Sequence, residues 1–186
     1  MQYLSIGVRC LVGVVFLASF VGKVAGREAF GAFVASVRRM RALPPGLARP
    51  VALLVVAGES AVCVLLVVPA RGADAAGLVV AAGLLTAFTT GIAISLRLGV
   101  RAACRCFGTS TTPLGLRHVA RNLGLTITCA VGAGAALTAA DAAQPGGATV
   151  AIVAGLVLGG LVVVFDDIVD LFGPTKRQAM DLRGRP

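Results

Sequence analysis

The sequence predicts an all-α fold, a polytopic bundle of transmembrane helices. Hydrophobic residues make up 58% of the 186 residues and charged residues only 13%, and the mean hydropathy is +0.94. A spanning helix needs about 20 consecutive apolar residues, so the chain has room for four or five spans and for no sizeable soluble domain. We therefore predict one integral membrane domain over residues 1–175 and a basic tail over residues 176–186.

Five apolar segments, separated by short polar or Pro/Gly-containing stretches, are predicted to span the membrane. Their predicted bounds are residues 3–25, 49–69, 75–98, 118–141 and 148–170. Arg9 lies inside the first segment and no small-residue cleavage site follows it, which argues against a removable signal peptide. Glycines weaken the last segment as a helix, so the alternative is four full spans plus a partly buried or re-entrant terminal segment.

A short amphipathic helix is predicted after the first span, over residues 28–40. Its apolar positions at helical spacing are Phe30, Phe33, Val34, Val37 and Met40, and its basic positions are Arg38, Arg39 and Arg41. Such a pattern is typical of a helix lying at the membrane surface. Pro44 and Pro45 end the predicted helix.

Membrane orientation explains the net charge of +9 better than nucleic acid binding does, because the chain has no Trp and one Tyr for base stacking. Lys and Arg cluster after the first span, between the third and fourth, and in the tail, and such an excess marks cytoplasmic segments. We expect an external amino terminus, a cytoplasmic carboxyl terminus and a cytoplasmic loop before the fourth span. The Arg-rich, Ala-rich composition is typical of a GC-rich bacterium, which indicates a bacterial plasma membrane.

A close pair of thiols, Cys104 and Cys106, lies in the polar stretch between the third and fourth predicted spans. Thiolates are the nucleophiles of redox chemistry and the ligands of soft metals, and the positive field of Arg101 and Arg105 favours the thiolate. A disulfide between residues so close in sequence requires a particular turn. The pattern predicts redox or metal chemistry at this pair.

Metal binding is the competing use of the pair. His118 is the only histidine, and two thiolates with one imidazole leave structural zinc one ligand short. We therefore predict no metal site, although Cu(I) stays open because it accepts soft thiolates. The alternative for His118 is a solvated position at a helix start.

Three further cysteines, Cys10, Cys63 and Cys129, lie within predicted spans. Cysteine packs well as a small hydrophobe, which favours a packing role. The alternative is a second redox pair of Cys10 and Cys63 that relays electrons from the loop across the membrane.

Ionisable residues within spans are costly and mark functional sites or internal partners. Glu59 lies near the middle of the second predicted span, and Arg9 lies at a comparable depth in the first. We expect these two to pair, either as a lock between two helices or as a protonatable group beside a thiol or quinone. Lys23 and Arg97 lie near span ends, where long cationic side chains reach the headgroups.

The chain resembles the MauE branch of the DoxX-like membrane proteins over residues 3–141. The residues that carry the resemblance are Arg9, Gly13, Phe16, Ser19, Lys23, Glu59, the run Cys104-Arg105-Cys106-Phe107-Gly108, and Arg121-Asn122. The resemblance implies a four-helix DoxX-like core, to which the fifth segment adds a C-terminal helix. It also implies methylamine utilisation, maturation of the disulfide-rich small subunit of methylamine dehydrogenase, and, through the DoxX relatives, quinone as a cofactor.

These observations together predict a membrane thiol-disulfide redox protein that assists the oxidation or maturation of a partner protein. Cys104 and Cys106 would form the redox pair, and Glu59 would be a buried carboxylate typical of the family. Two alternatives stay open: a non-catalytic membrane assembly factor, and a quinone-binding subunit. The expected partners are the lipid bilayer and a protein client, and not nucleic acid.

Overall fold

The computed structural model describes residues 1–40, 42, 44–99, 116–138 and 144–172. Every regular element within these residues is helical, as predicted. The helices are α1 (Gln2–Val24), α2 (Arg27–Arg39), α3 (Ala48–Val67), α4 (Arg71–Arg97), α5 (Leu116–Thr138) and α6 (Pro145–Phe172), with one 3₁₀ turn at Pro45–Leu47. The predicted tail and the side chains of Asp166, Asp167 and Asp170 lie outside the described residues.

Four of the described helices are long and apolar enough to cross a membrane. These spans are Gln2–Val24, Ala48–Val67, Gly72–Arg97 and Pro145–Phe165. The C-terminal segment is thus a continuous apolar helix despite its glycines. The helix α5, at 23 residues, has the length to span but is more polar, since its first turns carry Arg117, His118, Arg121 and Asn122.

The helices α1, α3, α4 and α5 form a four-helix bundle. Both α3 and α5 pack against α1 and against α4, so they occupy opposite corners. The apolar core contains Val12, Phe16, Val62, Leu85 and Cys129, each almost closed to solvent. A helix buries one apolar stripe against its neighbours, and here all four stripes converge on one core.

Side-chain contacts show the direction of each helix in the bundle. Val8 of α1 lies at the level of Gly132 of α5, while Arg9 contacts the last turn of α3. The helices α1 and α4 therefore run one way, and α3 and α5 run the other. We call the end where α3 finishes the Arg9 end, and the end where α4 finishes the Arg97 end.

The amphipathic helix predicted after the first span is present as α2. Its buried residues Phe33 and Val37 pack against Ala48 and Ala52 of α3, while Arg38 and Arg39 are exposed. Just after α2, the backbone oxygen of Met40 accepts a 2.8 Å hydrogen bond from Ser95 Oγ on α4. The helix α2 therefore covers the side of the bundle near its Arg97 end.

Outside the four-helix bundle, α6 packs chiefly against α1. Gly155 of α6 lies so close to α1 that a Cβ atom there would clash with the Gly7 carbonyl oxygen. Small residues allow such backbone approach between membrane helices, where dispersion contacts drive association. The glycines that weaken α6 as a helix therefore make its interface with α1.

Candidate functional site: a polar layer in the bundle core

One layer of the bundle core is polar, immediately below the apolar core towards the Arg97 end. It is reached by a step of three residues along each core helix: Phe16 to Ser19, Val62 to Glu59, Leu125 to Asn122 and Leu85 to Phe88. Residues three apart lie on the same helix face. Ser19, Glu59 and Asn122 are each at most 3% exposed, so this layer lies inside the protein and does not face lipid.

The centre of the polar layer is a buried ion pair between Lys23 and Glu59. Lys23 Nζ lies 2.8 Å from Glu59 Oε1, and the two residues are 2% and 1% exposed. Ser19 Oγ donates to the same carboxylate oxygen at 2.8 Å and accepts from Lys23 Nζ at 2.6 Å. Three side chains from two helices thus form one closed hydrogen-bonded set.

The ammonium of Lys23 is also flanked by two aromatic rings. Its Nζ lies 4.9 Å from the centroid of Phe33 and 5.9 Å from that of Phe88. Helical side chains lean towards the helix amino terminus, so Lys23 reaches back one turn to the level of Ser19. The ring faces add cation–π attraction to the ion pair, and four helices contribute to the site.

Two buried acceptor atoms in this region have no hydrogen-bond partner among the described residues. They are Glu59 Oε2 and Asn122 Oδ1, which stand on opposite corners of the bundle. Unsatisfied buried acceptors are rare because desolvation is costly. The polar layer therefore has capacity to accept hydrogen bonds beyond those that Lys23 and Ser19 donate.

A second ionic cluster lies at the Arg9 end. Arg9 donates through Nε to the Leu66 carbonyl oxygen and through Nη2 to the Val67 carbonyl oxygen at 2.9 Å. It also lies 3.2 Å from the Asp74 carboxylate at the start of α4. The last carbonyls of a helix have no partner within the helix, so Arg9 caps α3 and joins it to α4.

Two expectations about charged residues are therefore wrong. Arg9 does not pair with Glu59, because the two lie at different levels of the bundle and Arg9 binds Asp74 instead. Lys23 does not reach the headgroups, because it is buried against Glu59, whereas Arg97 is exposed. The missed signal was the spacing of Ser19 and Lys23, which puts both on the core-facing stripe of α1.

The predicted redox residues Cys104 and Cys106, with Arg101 and Arg105, lie outside the described residues. The described chain stops at Gly99, just after α4, and resumes at Leu116, where α5 begins. Both points are at the Arg97 end, which is also the end nearer to the polar layer.

The other cysteines are free thiols. Cys129 is fully buried in the apolar core, and Cys63 packs at the edge of the same core. The Cβ of Cys10 lies close to Gly155 of α6. These contacts are those of small apolar side chains, and no disulfide joins Cys10 to Cys63.

The alternative that placed His118 at a solvated position is wrong. It is 6% exposed, in the first turn of α5. Among the described residues, no group of three His, Cys, Asp or Glu side chains could hold a metal ion. Any metal site at Cys104 and Cys106 would fall outside these residues.

The fold and this site define a multi-pass helical membrane protein with a buried ion pair at its core. Residues 1–135 match the family model of the methylamine utilisation protein MauE, which covers more than two thirds of the chain. The chain belongs to the MauE family, as its sequence pattern predicted. The match ends within α5 and leaves α6 outside. Neither the curated proteins nor the solved structures contain a significant match.

Proposed function

We propose that this protein is a membrane thiol-disulfide redox protein that assists the oxidation or maturation of a partner protein. The observation that carries the proposal is the Cys104-Arg105-Cys106 run in a member of the MauE family, whose name points to methylamine utilisation. The substrate class is a protein dithiol or disulfide. The proposed location is a bacterial plasma membrane.

The proposed reaction is thiol-disulfide exchange through a mixed disulfide. A thiolate of the reduced pair attacks a partner disulfide, and the second cysteine then displaces the partner thiolate. Cys104 and Cys106 lose two electrons and two protons, and the partner disulfide gains both. The reverse direction oxidises a partner dithiol. Arg101 and Arg105 favour the attacking thiolate.

A maleimide gel-shift on acid-trapped membranes tests this function. Cys10, Cys63 and Cys129 are first replaced by Ala, so that only the pair takes up label. We expect reversible conversion between a doubly labelled and an unlabelled form across a series of redox buffers. Cys104→Ser or Cys106→Ser should trap a mixed disulfide. A pair that stays fully labelled under mild oxidants would sink the redox proposal and leave a non-catalytic assembly factor as the better description.

A quinone-binding role is the second candidate, favoured by an apolar pocket next to the polar layer. The pocket has a volume of about 110 Å³ and is lined by residues that include Val55, Leu84, Phe88 and Gly91. Phe88 also faces the Lys23 ammonium. A quinone ring in this pocket would lie beside the buried ion pair of Lys23 and Glu59. Ligand sites are typically apolar cavities with a few polar groups of this kind.

Filling this pocket separates the two candidates. Gly91→Leu places a side chain beside Met40, whereas Gly83→Leu, on the same helix, projects into open space and is the control. A quinone site predicts that Gly91→Leu abolishes labelling by a photoreactive quinone while Gly83→Leu retains it. Equal labelling of the two variants excludes this pocket as the quinone site.

A further inference from the structure

A groove between α2 and α3 combines two arginines with an apolar wall. Its volume is about 940 Å³, and Arg27 and Arg49 both line it. The wall is formed by Phe30 and Val34 of α2 and Leu53 and Val56 of α3. We name it the α2–α3 groove.

No acidic side chain of the described residues lines the groove beside the two arginines. The side chain of neither arginine makes a hydrogen bond or salt bridge to a described residue, and both residues are exposed. Glu28, the acidic residue nearest in sequence, does not line the groove. Two guanidinium groups on one concave surface repel each other unless an anion lies between them. Guanidinium groups bind phosphate oxygens through paired hydrogen bonds, which makes phosphate the best-matched anion.

The wall of the groove points to an amphiphile and not to a free anion. Leu53 is 53% exposed on a helix long and apolar enough to span the membrane, so its surroundings are acyl chains. Gly31 leaves open space on the α2 side, which widens the groove without a polar lining. A ligand that fits has a phosphate at one end and an aliphatic chain along the other.

We propose that the α2–α3 groove binds one anionic phospholipid, with its phosphate between Arg27 and Arg49 and an acyl chain along Phe30, Val34, Leu53 and Val56. The bound lipid neutralises the two arginines and covers the flank of the bundle where α2 meets α3. Lys23 of the polar layer also lines the groove, so the bound lipid lies next to that layer. The proposal is independent of the thiol chemistry.

Lipid retention on the purified full-length protein tests the site. The protein is reconstituted in equal phosphatidylglycerol and phosphatidylcholine, extracted into mild detergent, and its retained lipids are counted by native mass spectrometry. We expect preferential retention of one phosphatidylglycerol. The variant Arg27→Gln with Arg49→Gln should lose that preference by roughly tenfold or more, because it removes both basic side chains that attract the anionic headgroup.

The matched control is Arg38→Gln with Arg39→Gln, which removes the same charge from exposed positions of α2 that do not line the groove. Gly31→Leu is a second variant that fills the groove and leaves all charges in place. It should also displace the lipid. Equal phosphatidylglycerol preference in the groove variants and the control would overturn the proposal. Displacement by millimolar inorganic phosphate as effective as by short-chain phosphatidylglycerol would assign a free-phosphate site and overturn it equally.

Discussion

The Lys23 ammonium lies 2.8 Å from the Glu59 carboxylate, inside the bundle and not at its surface. This contact joins the end of α1 to the middle of α3. Each of the two charges needs the other, because a buried charge without a counter-charge is strongly destabilising.

Removing one partner of this pair should destabilise the protein strongly. Glu59→Ala leaves the Lys23 ammonium buried without a counter-charge, at an expected loss of about 3–5 kcal/mol of unfolding free energy. Replacing both, as Lys23→Met with Glu59→Leu, should restore most of that loss, because a buried ion pair exchanged for apolar groups is often close to neutral. Unfolding in detergent micelles, followed by circular dichroism, measures all three proteins.

The control for these two variants is Arg38→Gln, which removes an exposed charge from α2. Its expected effect on stability is small, as for most surface substitutions. If Glu59→Ala were no more destabilising than this control, the ion pair of Lys23 and Glu59 would not be buried as the structure describes.

Arg9 should matter more than its ionic partner Asp74. Arg9→Met removes the hydrogen bonds to the Leu66 and Val67 carbonyls as well as the ion pair, at an expected cost of about 2 kcal/mol. Asp74→Asn removes only the ion pair, whose partly exposed groups make it worth roughly 1 kcal/mol or less. Thermal unfolding of the two variants in the same detergent should show this order. The reverse order would assign Arg9 to the ion pair and not to the cap.

A methyl group at Gly155 should separate α1 from α6. The Cβ of Gly155→Ala would clash with the Gly7 carbonyl oxygen, whereas the Cβ of Gly160→Ala, on the same helix, meets nothing within 4 Å. Overpacking of this kind costs about 1–3 kcal/mol, while alanine at the open position should be neutral or stabilising. Unfolding midpoints compare the two directly. Equal midpoints would contradict the close approach of the helices.

The distribution of basic residues predicts which end of the bundle faces the cytoplasm. A green fluorescent protein fused after Gly99, at the Arg97 end, should fluoresce because that end carries the excess of Lys and Arg. An alkaline phosphatase fused after Ala70, at the Arg9 end, should be active. Reporter fusions in a bacterial host measure both. An inactive phosphatase at Ala70 together with a non-fluorescent green fluorescent protein at Gly99 would show that the orientation is the reverse.

Local pattern was sufficient to predict the helices. The apolar segments predict α1, α3, α4 and α6 because spanning requires a fixed length of apolar chain. The spacing of Phe33 and Val37 predicts α2 by the same helical period. The burial of Glu59 also followed from its place within a span, because a charge there must face the protein interior.

The sequence by itself determined that this is a helical membrane protein, and its motif placed it in the MauE family. Only the tertiary structure decided that Glu59 binds Lys23 and that Arg9 caps α3 and binds Asp74. The hydropathy pattern shows that a charged residue within a span needs a partner, but it does not show which helix provides that partner. Which residues pair depends on the relative level and rotation of the packed helices. These are determined by contacts between residues that are far apart in sequence.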